Sequence, residues 1–348
     1  MSGKGLDRIQ AEGSIARLGE FVLIERIRGI LGREEDDRIV LGIGDDTAAL
    51  RLGTDKVLLV TCDTQIEDTH FRRSDISSYE LGRRAMAVNL SDIASMGGTP
   101  TFALVSLGLP RELPLADFDD LFRGMRDQLA EFSGTIIGGN LAHTSEKMLV
   151  DITILGEVAP GNLLTRGGAR PGDAVYVTGT LGSSAAGMCV IEQFEKNEQA
   201  GFMDLILAHR LPTPRVKEGK QIARAGVATA MIDLSDGLAR DLLHLCESSK
   251  VGAEISLDRI PVRKGVRQVA DRLGKDPCVL VLGGGEDYEL LFTAGPEVSS
   301  GKIEQVAEES GTPITQIGVI LPAEQGCWWL DGSGRRFPLE PAGWDHFA

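Results

Sequence analysis

Four short acidic clusters lie far apart in the chain, each beside glycine, a small polar residue or the end of an apolar run. They are Asp45 and Asp46 in Gly42-Ile-Gly-Asp-Asp-Thr, Asp63 in Val60-Thr-Cys-Asp-Thr, Asp92 in Val88-Asn-Leu-Ser-Asp, and Asp233 with Asp236 in Ile232-Asp-Leu-Ser-Asp-Gly. One such aspartate is an ordinary turn or helix-cap residue. Several, each next to strand-like sequence, imply a fold that gathers carboxylates in one place. Gathered carboxylates repel one another and need a cation. With no histidine among them, and Cys62 the only soft donor, the set suits a hard ion, above all Mg²⁺.

A chain of 348 residues is long enough for two domains, and its 42 % hydrophobic and 25 % charged content suits a packed globular protein. The formal net charge of -15 argues against nucleic acid as the main partner. A phosphate substrate stays open if metal ions and placed arginines supply the positive charge. The five cysteines are widely spaced and form no Cys-x-x-Cys pair, which fits reduced thiols in a cytoplasmic protein. No signal peptide and no bilayer-spanning run is evident, so no membrane partner is expected.

Residues 1–18 read as a flexible tail, and a helix is expected from Glu20 to Leu31 on its apolar period. Strands are expected at Val57–Thr61, Phe102–Leu109, Thr135–Ile137 and Leu149–Val158, with helices at Ser78–Met96 and Leu115–Phe132. The breaker-rich stretch from Gly161 to Asp173 marks a boundary between a domain at 19–160 and one at 161–348. Beyond it, strands are expected at Ala174–Thr178, Ala230–Ile232, Tyr288–Thr293, Ile314–Ile320 and Trp328–Leu330. Helices are expected at Ser183–Glu195, Arg215–Ala225 and Leu238–Ser249, which places Ser235 and Asp236 at a helix start. The fold class is α+β with mixed sheets flanked by helices. The P-loop and the dinucleotide fingerprint are both absent.

An ordered series of motifs carries a resemblance. It runs Gly19-Glu-Phe, Gly42-Ile-Gly-Asp-Asp, Thr61-Cys-Asp-Thr, His70-Phe, Ala87-Val-Asn-Leu-Ser-Asp-Ile-Ala-Ser-Met-Gly, Gly138-Gly-Asn, Leu164-Thr-Arg-Gly-Gly-Ala-Arg-Pro-Gly-Asp, Val177-Thr-Gly-Thr-Leu-Gly, Ile232-Asp-Leu-Ser-Asp-Gly, Gly284-Gly-Glu-Asp-Tyr-Glu-Leu and Trp344-Asp-His-Phe. In that order the chain resembles the thiamine-monophosphate kinases, within the superfamily of aminoimidazole ribonucleotide synthetase. The resemblance implies that superfamily's two-domain fold, a homodimer, and ATP- and Mg²⁺-dependent phosphorylation of thiamine monophosphate to thiamine diphosphate.

It also implies roles. Asp46, Asp63, Asp92, Asp233 and Asp236 would hold several Mg²⁺ ions, with Thr61 and Cys62 contributing by side chain or backbone. Asn140 would join them where the family often has aspartate. Asp46, Asp236 and Arg166 would act on the transferring group. Arg166, Ser235, Gly139 and Asn140 would contact the nucleotide, and His70, Glu286 and Trp344 the acceptor. Each has a plain alternative: turn or cap for the aspartates, an N-cap for Ser235, a surface position for His70, a packing anchor for Trp344.

Other ATP-using relatives fit less well. Selenophosphate synthetase would need a reactive cysteine in an N-terminal glycine-rich loop, and none precedes Cys62. A hydrogenase-maturation dehydratase would end in cysteine, where this chain ends Asp345-His-Phe-Ala. An aminoimidazole ribonucleotide synthetase-like activity and a non-catalytic nucleotide- or thiamine-binding protein complete the alternatives.

Overall fold

A computed structural model describes residues 38–41, 44–53 and 55–343. The expected tail at 1–18, the helix at Glu20–Leu31 and Trp344 lie outside the described residues.

The first half builds a six-stranded sheet from β1 (Ile39–Leu41), β2 (Ala48–Arg51), β3 (Val57–Ile66), β4 (Thr99–Leu109), β5 (Thr135–His143) and β6 (Leu149–Val158), in the order β1-β2-β3-β6-β4-β5. Only β4 and β5 run parallel. Helices α1 (Ser78–Ser95) and α2 (Leu115–Ala130) cover one face. Ser77 opens α1 with a capping box closed by Glu80. Gly82 and Gly124 let the two helix backbones nearly touch, since a Cβ on either would fall within 2.1 Å of the other helix's carbonyl oxygens. The opposite sheet face is open and leaves Ile66, Phe102 and Leu104 exposed.

Two strands run longer than their apolar cores suggest. β3 continues past Thr61 to Ile66 because each residue pairs with β6, from Val57 opposite Val158 to Ile66 opposite Leu149. Asp63 is therefore inside the strand, not beyond it. β5 continues past Ile137 to His143 by pairing with β4. Gly139 within it has φ 156°, and a Cβ there would lie 1.8 Å from the Val105 carbonyl oxygen, so glycine is required by strand packing alone.

The second half builds a seven-stranded sheet from β7 (Ala174–Thr178), β8 (Ala230–Asp233), β9 (Gly252–Ser256), β10 (Leu290–Ala294), β11 (Ile314–Leu321), β12 (Cys327–Leu330) and β13 (Arg336–Pro338), in the order β13-β12-β9-β11-β7-β10-β8. Here β9 and β12 are the parallel pair. Around it lie α3 (Ser183–Gln193), α4 (Met203–Arg210), α5 (Val216–Ala225), α6 (Leu238–Ser249), α7 (Lys264–Arg272), α8 (Pro277–Leu282) and α9 (Ser300–Ser310). The architecture is α+β with two mixed sheets. The breaker-rich segment joins β6, ending at Val158, to β7, starting at Ala174.

One apolar cluster continues from Leu59, Leu90 and Ile154 in the first half to Ile222, Phe292 and Val306 in the second. Helix α1 is its axis. It packs on the first sheet, on α5 and on β8, so its polar residues Arg84, Asn89, Ser91 and Ser95 are buried as fully as its leucines. Buried polar groups of this kind must be hydrogen-bonded, and their partners lead to the site.

Candidate active site

The acidic clusters converge on one cavity of about 1220 Å³. Asp45 and Asp46 reach it from the turn before β2, Thr61 and Asp63 from β3, Asp92 from the last turns of α1, and Asp233 from the end of β8. Ser235 and Asp236 line it from the turn before α6, and Arg166, His70 and Glu286 complete the set. Each half of the chain supplies carboxylates.

Hydrogen bonds fix the arrangement. Thr61 Oγ1 donates to Asp92, and Ser91 Oγ donates to Asp233 Oδ2 at 2.6 Å. Asn89 Oδ1 accepts the Asp63 N–H at 2.9 Å, while its amide donates to the Ala85 carbonyl at 3.1 Å. Side chains alternate along a strand. Cys62 therefore faces the open side of the sheet, where its thiol donates to Asp151 Oδ1 at 3.4 Å. Its backbone, not its thiol, is what it can offer beside Thr61 and Asp63.

Three of these carboxylates, Asp45, Asp92 and Asp233, are raised above the usual range. Asp233 is pushed up to about 8, first by burial and then by the charge of Asp46, against the Ser91 hydrogen bond. Asp92 is raised well above the usual range by burial and by Asp63, Asp233 and Asp46. Asp45 is raised to about 6 by burial and Asp46. Arg166 answers part of this charge: its Nε donates to Asp46 Oδ1 at 2.7 Å, and its backbone N–H to Asp45 Oδ2 at 3.3 Å. The other oxygen, Asp46 Oδ2, is buried without a hydrogen-bond partner.

An unsatisfied buried carboxylate oxygen, among acids that raise one another's pKa, is the chemistry a divalent cation would relieve. The residues present fit Mg²⁺. Among the described residues, no three His, Cys, Asp or Glu side chains already lie close enough together to hold a metal ion by themselves. Mg²⁺ commonly completes its shell with water and substrate phosphate oxygens.

Ser235 is not the cap of α6. That position falls to Gly237, and the Asp241 carboxylate accepts the N–H groups of Asp236 at 3.2 Å and Gly237 at 3.0 Å. His70 accepts the Ile66 N–H on Nδ1 at 3.0 Å, which orients its ring in the cavity wall. Glu286 and Tyr288 have φ of 66° and 50°, a strained conformation for residues with a Cβ, costing about 1–2 kcal/mol each. Between them the half-buried Asp287 accepts the Gly182 N–H at 2.6 Å and the Ser184 N–H at 3.1 Å, which pins the loop. Burial raises Asp287 to about 7.

Gly139 and Asn140 do not line this cavity. Asn140 lies on exposed β5, opposite Ser106 of β4, which in turn faces Asp151 of β6. The chain returns to the cavity at Gly343, the last described residue, whose Cα packs against the Asp236 carbonyl.

Sequence reasoning missed Asn89, Ser91, Arg84, His209 and Asp241. The first two sit inside the Ala87-Val-Asn-Leu-Ser-Asp motif, whose signal points only to Asp92. Arg84 and His209 carried no signal, because an arginine on a helix reads as solvated until the covering layer is known.

The chain matches the models of the AIR synthase related protein N-terminal domain over residues 44–158 and C-terminal domain over residues 170–326. It is 37 % identical to the thiamine-monophosphate kinase of Escherichia coli K12, covering 95 % of this chain and 98 % of that one. It is 36 % identical to that of Aquifex aeolicus, covering 96 % and 99 %. The solved structure of AaThiL complexed with AMPPCP and TMP superimposes with a TM-score of 0.84 at 33 % identity, covering 97 % of this chain and all of that one. With two such domains, both sets of carboxylates in one cavity and this identity along nearly its whole length, the chain belongs to the thiamine-monophosphate kinases of the AIR synthase-related superfamily.

Proposed function

We propose that the acidic cavity is where the γ-phosphoryl group of ATP passes directly, in line, to the phosphate of thiamine monophosphate, giving thiamine diphosphate and ADP. The observation that carries this reading is the convergence of Asp46, Asp63, Asp92, Asp233 and Asp236, from both halves of the chain, on a cavity that also presents Arg166 and Glu286. The ligands named for the AaThiL structure support the same pair of substrates, taking AMPPCP as a stand-in for ATP.

The acceptor nucleophile is a phosphate oxygen that is already anionic, so no general base is needed. The demand is positioning and neutralisation of two approaching anions. Several Mg²⁺ ions, held by the five aspartates with Thr61 Oγ1 and the Cys62 backbone, would supply that neutralisation when bound. Arg166 is poised within reach of Asp46 and would transfer its guanidinium hydrogen bonds to a phosphate. Ser235 lies beside the start of α6 and would contact the nucleotide. His70 and Glu286 would face the acceptor, and Trp344, one residue beyond the cavity-lining Gly343, would stack on its ring.

Asn140 and Gly139 would join the nucleotide site from a second copy of the chain. The open face of the first sheet, with Phe102 at 48 % and Leu104 at 39 % exposure, supports a homodimer through that region. All five cysteines are free thiols, and no described helix is long and apolar enough to cross a membrane. We place the enzyme in the cytoplasm.

The test is formation of thiamine diphosphate from thiamine monophosphate and ATP, with Mg²⁺ and with chelator, alongside sedimentation. Mg²⁺-dependent product with equimolar ADP, from a particle of twice the chain mass, is expected. Folded protein that binds ATP and makes no product would transfer the reading to a binding protein.

A further inference from the structure

Among the described residues, Arg84 is the largest side chain that is buried completely, at 1 % exposure. Its guanidinium is used on every side. One terminal nitrogen pairs with Glu286 Oε1, the other donates to the His209 backbone carbonyl, and Nε donates to Gln65 Oε1 at 3.3 Å. The His209 ring closes the circle, with Nδ1 at 3.4 Å from Glu286 Oε2 and 3.0 Å from Ser184 Oγ. One oxygen of Glu286 is thus paired with α1, and the other faces the His209 ring at the end of α4.

Another arginine–glutamate pair, Arg215 with Glu289, has a different character. Arg215 binds both oxygens of Glu289 at 2.6 Å, Glu289 is 5 % exposed, and neither residue lines the cavity. That pair extends to Thr178, Thr312 and Glu218, all away from the cavity. Glu286, in contrast, lines the cavity, stays 28 % exposed, and holds a left-handed backbone. A buried arginine is costly without a partner. Here the partner is a carboxylate that still presents an edge to the cavity.

We propose that Arg84 and His209 are positioning residues for the acceptor: they fix the carboxylate of Glu286 so that its free edge meets the cationic ring system of thiamine monophosphate. The proposal rests on the reading that Glu286 contacts the acceptor. Charge supports it. Burial, with the neighbouring Arg84, holds His209 down near 4, so at neutral pH the imidazole orients Glu286 without competing as a second cation. The grip also joins α1, which delivers Asp92, to the loop that delivers Glu286.

The experiment is steady-state kinetics with each substrate varied, on the full chain, for Glu286→Gln, Arg84→Met, Arg84→Lys, His209→Asn and the Arg84→Met/Glu286→Gln double variant. The expected result is a rise of about tenfold in KM for thiamine monophosphate in Glu286→Gln, Arg84→Met and His209→Asn, with KM for ATP within about twofold of wild type. Arg84→Lys should recover part of the loss, and the double variant should be no worse than its worse parent. Equal losses toward both substrates, or full additivity in the double variant, would reduce Arg84 to a structural role and overturn the proposal. If Arg84→Met does not fold, His209→Asn decides: an unchanged KM for thiamine monophosphate overturns it. If Glu286→Gln leaves that KM unchanged, the acceptor contact itself is wrong and the inference falls with it. A loss in Glu286→Gln without one in the other variants overturns the inference alone.

Discussion

Ser91 Oγ donates to Asp233 Oδ2 at 2.6 Å, so one hydrogen bond joins the central helix of the first half to an edge strand of the second inside the acidic cluster. Both residues are almost fully buried. Ser91→Ala should lower stability by about 1–2 kcal/mol, because it strips a buried acid of its donor. It should also raise the Mg²⁺ concentration needed for half-maximal turnover. Urea denaturation and a Mg²⁺ titration of activity check the two effects. An unchanged urea midpoint would show that water replaces the serine.

Asp46 and Asp236 both line the cavity. Asp236→Asn should cut turnover by about 100-fold or more. Asp46→Asn should cut turnover as severely and also cost about 2 kcal/mol, because Arg166 loses the carboxylate that balances its largely buried charge. Rates and urea midpoints check the two effects, and a wild-type midpoint in Asp46→Asn would contradict the ion pair.

Gly219 on α5 packs against the end of α1, where a Cβ would fall 2.0 Å from the Ala94 carbonyl oxygen. Backbone on both sides leaves nothing soft to yield. Gly219→Ala should cost at least about 2 kcal/mol and displace the helix turn that carries Asp92. Loss of activity should persist at temperatures where circular dichroism still reports a folded protein.

His209 and His244 are both held near 4, below the ordinary 6.5, chiefly by burial and then by nearby arginines. Between 6.5 and 4 the unfolded chain binds more protons at these sites than the folded one. Their contribution is therefore complete above about 6.5 and is lost as the pH falls toward 4, at up to about 3 kcal/mol for His209 and less for the more solvent-screened His244. Asp92 and Asp233, raised in the fold, act in the opposite direction. The informative quantity is the wild-type-minus-His209→Asn difference in urea midpoint, which should shrink from pH 7 to pH 5. A constant difference would contradict a buried neutral imidazole.

The acidic clusters were legible because aspartate beside glycine at a strand end is a local pattern, and its recurrence along one chain points to a shared site. The long helix at Ser78 was legible from its apolar period, while its capping box at Ser77 and Glu80 emerged only in the structure. β1, β2, β9 and β13 were not, being three to five residues long and held by pairing partners distant in sequence. The extensions of β3 and β5 were hidden for the same reason: Thr-Cys-Asp-Thr and Gly-Gly-Asn carry little strand propensity and are strand only because β6 and β4 pair with them. Helices at Lys264 and Ser300 were passed over among charged residues. The roles of Arg84, Asn89 and Ser91 depended on which layers cover α1, a fact of tertiary packing that no local pattern holds.

Helix α1 carries Arg84 and Asp92 eight residues apart on one rigid rod. At 1.5 Å of rise per residue, that interval is about 12 Å. One end governs the carboxylate proposed to greet the ring, and the other lies among the acids proposed to receive the phosphates. The helix therefore works as a gauge. With the proposed roles, it would set how long an acceptor must be to engage both ends at once, so that acceptor length would count beside acceptor charge.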